Sequence, residues 1–234
     1  MKAIYIERYG NIDGVQIGKL PKPALQPDDV LIHIHAAGIN PLDLRVLEGE
    51  FKAILPVKFP FILGNDLAGV VVEVGDRIKK FKIGDEVYAK TDQTGAFAEY
   101  AVVKASALSL KPRNLSMQQA ASLPLVALTS WQAIVEIAKV QTGQKVLIHA
   151  GSGGVGTIAI QLAKHLGAVV ATTTSGKNAD WVKALGADII VDYKTTDFED
   201  YEMQWIGDFN PKMIRIAENL ETEVTRKLAT YRYL

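Results

Sequence analysis

The chain has 234 residues, 48% of them hydrophobic, and 26 basic side chains balance 26 acidic ones, which suits one large or two small domains with a real core. Zero net charge gives no reason to expect a nucleic-acid or membrane-surface partner, and no apolar run nears the ~20 residues of a membrane span. The absence of cysteine excludes disulfides, thiolate catalysis and Cys-ligated zinc.

From residue 1 to about 113 the pattern is one of short strands and turns. Glu7-Arg8 interrupt the N-terminus too early for a signal peptide, so the expected location is the cytoplasm. Ala3–Ile6 reads as a strand. Val30, Ile32 and Ile34 alternate with Leu31, His33 and His35, the mark of a half-buried strand. Gly69–Val74, Glu86–Ala89 and Phe97–Val103 are further strand candidates, and many short strands punctuated by Gly and Pro suggest a barrel-like β domain. One helix interrupts them. Asn40 is a cap residue, Pro41 sits where its missing N–H costs nothing, Asp43 places a carboxylate in the first turn, and Gly49 ends it. Leu42, Val46 and Leu47 are its expected inner face. On capping grounds alone, Asn40 and Asp43 need no role in chemistry.

From Asn114 the period becomes helical. Ser116-x-x-Gln119 reads as a capping box. Pro124 then separates a short helix from a longer one carrying Leu125, Leu128, Trp131, Ile134, Val135 and Ala138. Thr142-Gly143-Gln144 turns into the stretch that organises the chain. Val146-Leu147-Ile148 is short enough for a buried parallel strand. A turn follows on Gly151-x-Gly153-x-x-Gly156. Val155, Ile158, Ala159, Leu162, Ala163 and Leu166 then recur at helical spacing up to Gly167, which suits the left-handed close of a helix. Strand, glycine turn and helix are the context that a dinucleotide fingerprint requires. A side chain at Gly153 would block a pyrophosphate from the backbone amides, and Gly156 lets helix and strand press together. First-turn N–H groups lack intrahelical partners, and the macrodipole adds roughly half a positive charge there. The other reading is a tight turn with no ligand. A strand at 168–173, a helix from about Lys177 to Leu185, the stop Gly186 and a strand at 188–192 complete three parallel strands, half of a doubly wound sheet.

In NAD-preferring sites an acidic residue about 20 positions after the turn bonds the ribose 2′-hydroxyl. Here that place reads Thr172-Thr173-Thr174-Ser175-Gly176-Lys177, with a hydroxyl and an ammonium that suit a 2′-phosphate. Hydrogen bonds to charged groups contribute roughly 1.5–3 kcal/mol each, and ~1.4 kcal/mol is tenfold in affinity, so two contacts give about a hundredfold preference for NADPH. Alternatively, Ser175 caps the next helix and Lys177 is only a solvated side chain.

Taken together, A-A-G-I-N-P-L-D at 36–43, G-N-D-L-A-G at 64–69, G-D-E-V-Y-A at 84–89, G-A-F-A-E-Y at 95–100 and A-G-S-G-G-V-G at 150–156 resemble the zinc-independent quinone oxidoreductases of the medium-chain dehydrogenase/reductase superfamily. The resemblance covers residues 1 to about 199. It implies a GroES-like β-barrel domain (1–113) followed by a partial Rossmann domain (114–199), with the active site in the cleft between them. It implies hydride transfer from NADPH to a quinone or α,β-unsaturated carbonyl, and no metal. Zinc-dependent relatives place a Cys near position 40 and Gly-His-Glu where Gly64-Asn65-Asp66 stand. His33 and His35 share a strand face but are only two ligands. His149 and His165 have structural readings, the end of a strand and the last turn of a helix.

The resemblance also implies Asn40 and Asp43 in the catalytic cleft, with Asn40 the better donor. It places Thr129 near the nicotinamide, and Ser175, Lys177 and Tyr193 around the 2′-phosphate. Gly151, Ser152, Gly153, Gly154, Val155 and Gly156 form the pyrophosphate turn. Phe51 is a candidate wall for a flat quinone or a core residue. Several quinone reductases carry tyrosines here, where this chain has Arg45 and Phe51.

After Tyr193 the family pattern stops. An apolar strand ending in a Gly-Gly turn is missing, so the chain reads as a C-terminally truncated member with an atypical tail, 200–234. Asn210-Pro211 starts a helix-like run with Ile214, Ala217, Leu220, Val224 and Leu228 on one face. Without a fourth strand, Val146-Leu147-Ile148 is an apolar edge. The expected covers are a 211–230 helix, residues 202–206 as a strand, or a second subunit in a homodimer. The alternative to an oxidoreductase is a truncated NADPH-binding protein without turnover, or a fragment with no selected role.

Overall fold

The computed structural model describes residues 1–53, 56–91 and 95–195. The expected strand at 202–206 and the helix at 211–230 lie outside the described residues. The chain divides into two units, one spanning Met1–Leu125 and a second beginning at Val126.

The first unit holds strands β1 (Lys2–Ile6), β2 (Gln16–Lys19) and β3 (Asp29–Gly38), helix α1 (Pro41–Glu48), and strands β4 (Phe61–Ile62), β5 (Asp66–Val74), β6 (Glu86–Lys90), β7 (Tyr100–Lys104) and β8 (Leu108–Leu110). They form two antiparallel sheets, ordered β2-β1-β4 and β7-β3-β5-β6-β8. An antiparallel bridge between Ala3 and Ala98 connects them. Val30, Ile32, Leu67, Val71, Phe81, Val87 and Val103 make the main core. This is the GroES-like half of the fold.

Alternation along β3 holds only in part. His33 and His35 are exposed as expected, but Leu31 is buried beside Ile32. The pairing with β5 shifts register between these two residues, and a bulge there breaks the period-two facing. Strand β7 begins at Tyr100 rather than Phe97, because Phe97 is committed to a crossing segment. Its carbonyl accepts from Ile4 N–H and its N–H donates to the Leu63 carbonyl. Helix α2 (Met117–Ala121) carries the Ser116–Gln119 capping box in both directions. It belongs to this unit because Ala120 and Ala121 bury against Ala68 of β5.

Helix α3 (Pro124–Trp131) leads into the second unit and continues as a π-helical turn, Gln132–Ile137. Strand β9 (Lys145–Ile148), helix α4 (Gly154–His165), strand β10 (Val169–Thr174), helix α5 (Ala179–Ala184) and strand β11 (Ile189–Asp192) follow. The sheet is parallel, ordered β11-β10-β9. Ile134, Val146, Ile148, Ile160, Ala163, Val170 and Val182 form its core. This is the Rossmann half. Gly143, Gly167 and Gly186 all take positive φ at the turns where the sequence placed them. The face of α3 differs in part from the expected one: Leu128 and Trp131 are each 48% exposed and Ser130 is buried, while Ile134 in the π-helical turn is buried as expected. Helix α5 starts after a 3-10 turn, Gly176–Asn178, closed by the Asn178 N–H on the Ser175 carbonyl.

Candidate functional site

In the first unit, the end of β3 delivers the chain to Asn40, which starts α1. Asparagine at this cap leaves the backbone extended, and Pro41 supplies a helical φ without needing a hydrogen-bond partner. Asp43 returns a carboxylate oxygen to the Asn40 backbone N–H at 2.7 Å. Asn40 and Asp43 thereby close a capping box, and the Asn40 Nδ2 donates to Asp66 Oδ2 at 3.0 Å. The second oxygen of Asp43 accepts from Asn65 Nδ2 at 2.7 Å, and the second oxygen of Asp66 accepts from Leu125 N–H at 3.0 Å. A continuous polar chain therefore runs from Asn65 through Asp43, Asn40 and Asp66 to the start of α3.

All of it but Asn65 is buried: Asn40 is 8% exposed, Asp43 5% and Asp66 0%. The inner face of α1 is thus Asp43 and Leu47, with Leu42 and Val46 half-buried. Burial raises the Asp43 carboxyl above its ordinary range, opposed by the hydrogen bonds from Asn40 and Asn65. Burial raises Asp66 further, to about 6, against the bonds from Asn40 and Leu125 and with the Asp43 charge adding to the rise. Asn65 and Asp66 were not among the expected site residues. The available signal was a carboxylate opening a largely apolar run, Asp66–Val74. Phe51 is half-buried just beyond α1, and Arg45 pairs with Glu50 at 3.8 Å.

In the second unit the glycine turn sits where β9 ends. Ala150 takes a left-handed backbone, φ 53°, and its carbonyl accepts the Gly153 N–H at 2.9 Å. Gly153 is the extended cap of α4. A Cβ on Gly151 would collide with Thr172 Oγ1, and one on Gly156 would collide with the Ala150 carbonyl oxygen. Gly156 is therefore the point where α4 meets the end of the strand. Gly153 is different: its nearest neighbour would be the Ala150 oxygen at 3.2 Å, so the chain itself does not fill the space there. Gly154 lies against Val126 of α3. Ser130 of the same helix donates to the Val155 carbonyl at 3.1 Å. Helix α3, and with it the half-buried Thr129, is held beside the first turn of α4.

Hydroxyls surround the turn. Ser152 Oγ accepts from Thr174 Oγ1 at 2.9 Å and from Asn178 Nδ2 at 3.0 Å, and Asn178 also reaches Ser175 Oγ at 3.3 Å. Thr173 Oγ1 accepts the Ala150 N–H and bonds His149 Nδ1 at 3.3 Å, so His149 has a hydrogen-bonded place at the strand end. Ser175 is buried, Lys177 is exposed, and Tyr193 is brought next to them by its N–H on the Thr174 carbonyl. Asn178 was missed in the sequence, since an Asn in a turn has no distinguishing pattern. So was Asp192, whose carboxylate stands against Gly176. His33 stacks on Tyr100 with His35 edge-on to it, a surface aromatic cluster. Among the described residues no three His, Cys, Asp or Glu side chains group as metal ligands, and no helix is long and apolar enough to cross a membrane.

Two family models match the chain: the alcohol dehydrogenase GroES-like domain over residues 26–113, and the zinc-binding dehydrogenase domain over residues 154–216. The chain is 42% identical over 212 residues to a 2-methylene-furan-3-one reductase of Solanum lycopersicum, across 86% of this chain and 54% of that protein. It belongs to the medium-chain dehydrogenase/reductase superfamily, among the quinone oxidoreductase-like members. The match to an Arabidopsis thaliana NADPH-dependent alkenal/one oxidoreductase, chloroplastic, is 39% identical over the same shares of the two chains. The solved quinone oxidoreductase of Coxiella burnetii superposes with a TM-score of 0.77 at 37% identity, over 88% of this chain and 66% of that one. This chain therefore spans 54% of the length of both curated relatives. The second domain model reaches residue 216, past residue 199 where the sequence resemblance was expected to fade.

Proposed function

We propose that this superfamily member is an NADPH-dependent reductase that directs hydride to a quinone or an α,β-unsaturated carbonyl. The observation that carries the reading is the turn after β9, where no side chain caps the start of α4, the space beside Gly153 is left open, and Gly151 and Gly156 are packed too tightly for any side chain. When bound, the coenzyme supplies the hydride. Residues 151–156 would hold its pyrophosphate, and Thr129 would contact the nicotinamide side. Asn40 and Asp43 would meet the acceptor. A hydride added to the β-carbon of an enone leaves charge on the carbonyl oxygen, and a positioned amide N–H stabilises that charge. Solvent then supplies the proton. Phe51 would wall the acceptor.

Preference for NADPH over NADH rests on Ser175, the exposed ammonium of Lys177 and the adjacent Tyr193. Independence from zinc rests on the donor set. The chain has no cysteine, and Asn65 presents a carboxamide that is already engaged by Asp43. The cytoplasm remains the assigned location from the sequence, and imaging of the tagged chain checks it against the plastid location of one relative. A second copy of the chain is the proposed cover for the outer edge of β9, which pairs only with β10 among the described residues; light scattering reads that directly.

The test is NADPH binding by fluorescence, together with NADPH oxidation in the presence of a small quinone and of an enone. Saturable binding with acceptor-dependent oxidation supports the proposal. Binding without oxidation by either acceptor overturns its enzymatic part.

A further inference from the structure

The polar chain of the first unit has a built-in polarity. Asp66 Oδ1 faces the Leu125 backbone N–H, which can only donate. Asp66 Oδ2 faces the Asn40 carboxamide, which can donate through Nδ2 or, turned over, accept through Oδ1. While Asp66 is ionised both oxygens accept, and Nδ2 must point at it. When Asp66 takes up a proton, Oδ1 is held by Leu125, so the proton belongs on Oδ2. A buried O–H needs an acceptor, and rotation of the Asn40 amide provides one at this contact, giving up that side chain's half of the capping box.

We propose that Asp66 is a positioning residue whose protonation state sets which end of the Asn40 carboxamide faces the acceptor. The inference rests on the reductase reading for its consequence, since Asn40 is the group offered to the substrate oxygen. Full burial of Asp66 and its value near 6 place the change within reach of ordinary pH. Helix α1 contributes the charge of Asp43, which favours the neutral acid, and Lys90 of β6 favours the anion. Lys90 is also the register partner of Asp66. Helix α2, Met117–Ala121, carries no charged residue, and β3 approaches Asp66 through Gly38.

The experiment follows the Asn40 side-chain NH2 signals in the ¹⁵N-labelled full chain from pH 4.5 to 8, assigned by their loss in Asn40→Ala. The expected result is a titration with a midpoint near 6 that disappears in Asp66→Asn. Flat signals, or the same midpoint in Asp66→Asn, overturn the proposal. Should that variant fail to fold, the Asp66 carboxyl ¹³C signal of the unsubstituted chain must share the Asn40 midpoint, and two different midpoints overturn the proposal equally. In parallel, the decline of kcat for enone reduction as pH rises through about 6 should vanish in Asp66→Asn while KM for NADPH stays constant. An Asn40 titration without any NADPH oxidation would remove the reductase reading and leave the switch standing; oxidation with a flat Asn40 signal would do the reverse.

Discussion

The hydroxyl of Thr172 occupies the space that a side chain on Gly151 would need. It donates to the Ile148 carbonyl at 2.6 Å, and an added Cβ on Gly151 would run into it. Gly151→Ala must therefore displace a buried hydrogen bond and overpack the turn. We expect a loss of about 1–3 kcal/mol in urea unfolding, with NADPH affinity falling too. Gly153→Ala meets only the Ala150 oxygen at 3.2 Å. It should leave the unfolding midpoint almost unchanged and weaken NADPH at least about tenfold. Equal losses of stability in the two variants would contradict this division of labour.

Lys177 and Asp192 bear opposite charges beside the same turn, the first exposed and the second against Gly176. Lys177→Ala should weaken NADPH about tenfold or more and NADH hardly at all, since only the former carries the 2′-phosphate. Asp192→Asn should shift the ratio the other way. Titrating both coenzymes by fluorescence reads the ratio, and parallel losses in Lys177→Ala would assign that side chain to solvent.

Asp66 also makes a prediction for stability. Its carboxyl rises from the ordinary 3.8 to about 6 in the fold, so between these values the folded chain holds a proton that the unfolded chain has released. Stability from this group is full below pH 3.8, declines as pH rises through that window, and is level above about 6. The difference is about 3 kcal/mol. Asp43 acts in the same sense and Asp188 in the opposite one, so the quantity to measure is the stability of the unsubstituted chain minus that of Asp66→Asn. That difference should fall between pH 4 and pH 7, and a difference that rises would refute the assignment.

The donor set predicts indifference to zinc. Dialysis against a strong chelator should leave both the unfolding midpoint and NADPH oxidation unchanged, and added zinc should give no stabilisation. A midpoint that drops on chelation and returns with zinc would point to ligands beyond those considered.

What could be read in advance was what local signals encode. Asn40-Pro41, Ser116-x-x-Gln119 and the glycines at 49, 143, 167 and 186 each satisfy a nearby backbone need, so the helix ends and turns were legible. The glycine fingerprint was legible because strand, turn and helix are contiguous. Asp66 was not, because its partner Asn40 is 26 residues away. The two meet through the register that sets Gly38 opposite Asp66. The placement of Asp192 against Gly176 likewise depends on pairing between β10 and β11. Periodicity misjudged α3, where Leu128 and Trp131 fit the spacing yet Ser130 is the residue tied to Val155.

The loop after β9 is fixed before any ligand enters. Ala150 and Gly151 are both tied to Thr173, Ser152 to Thr174 and Gly153 to Ala150. The ordering entropy of that loop is consequently charged to folding, and association of a diphosphate there should proceed as docking onto a rigid mould.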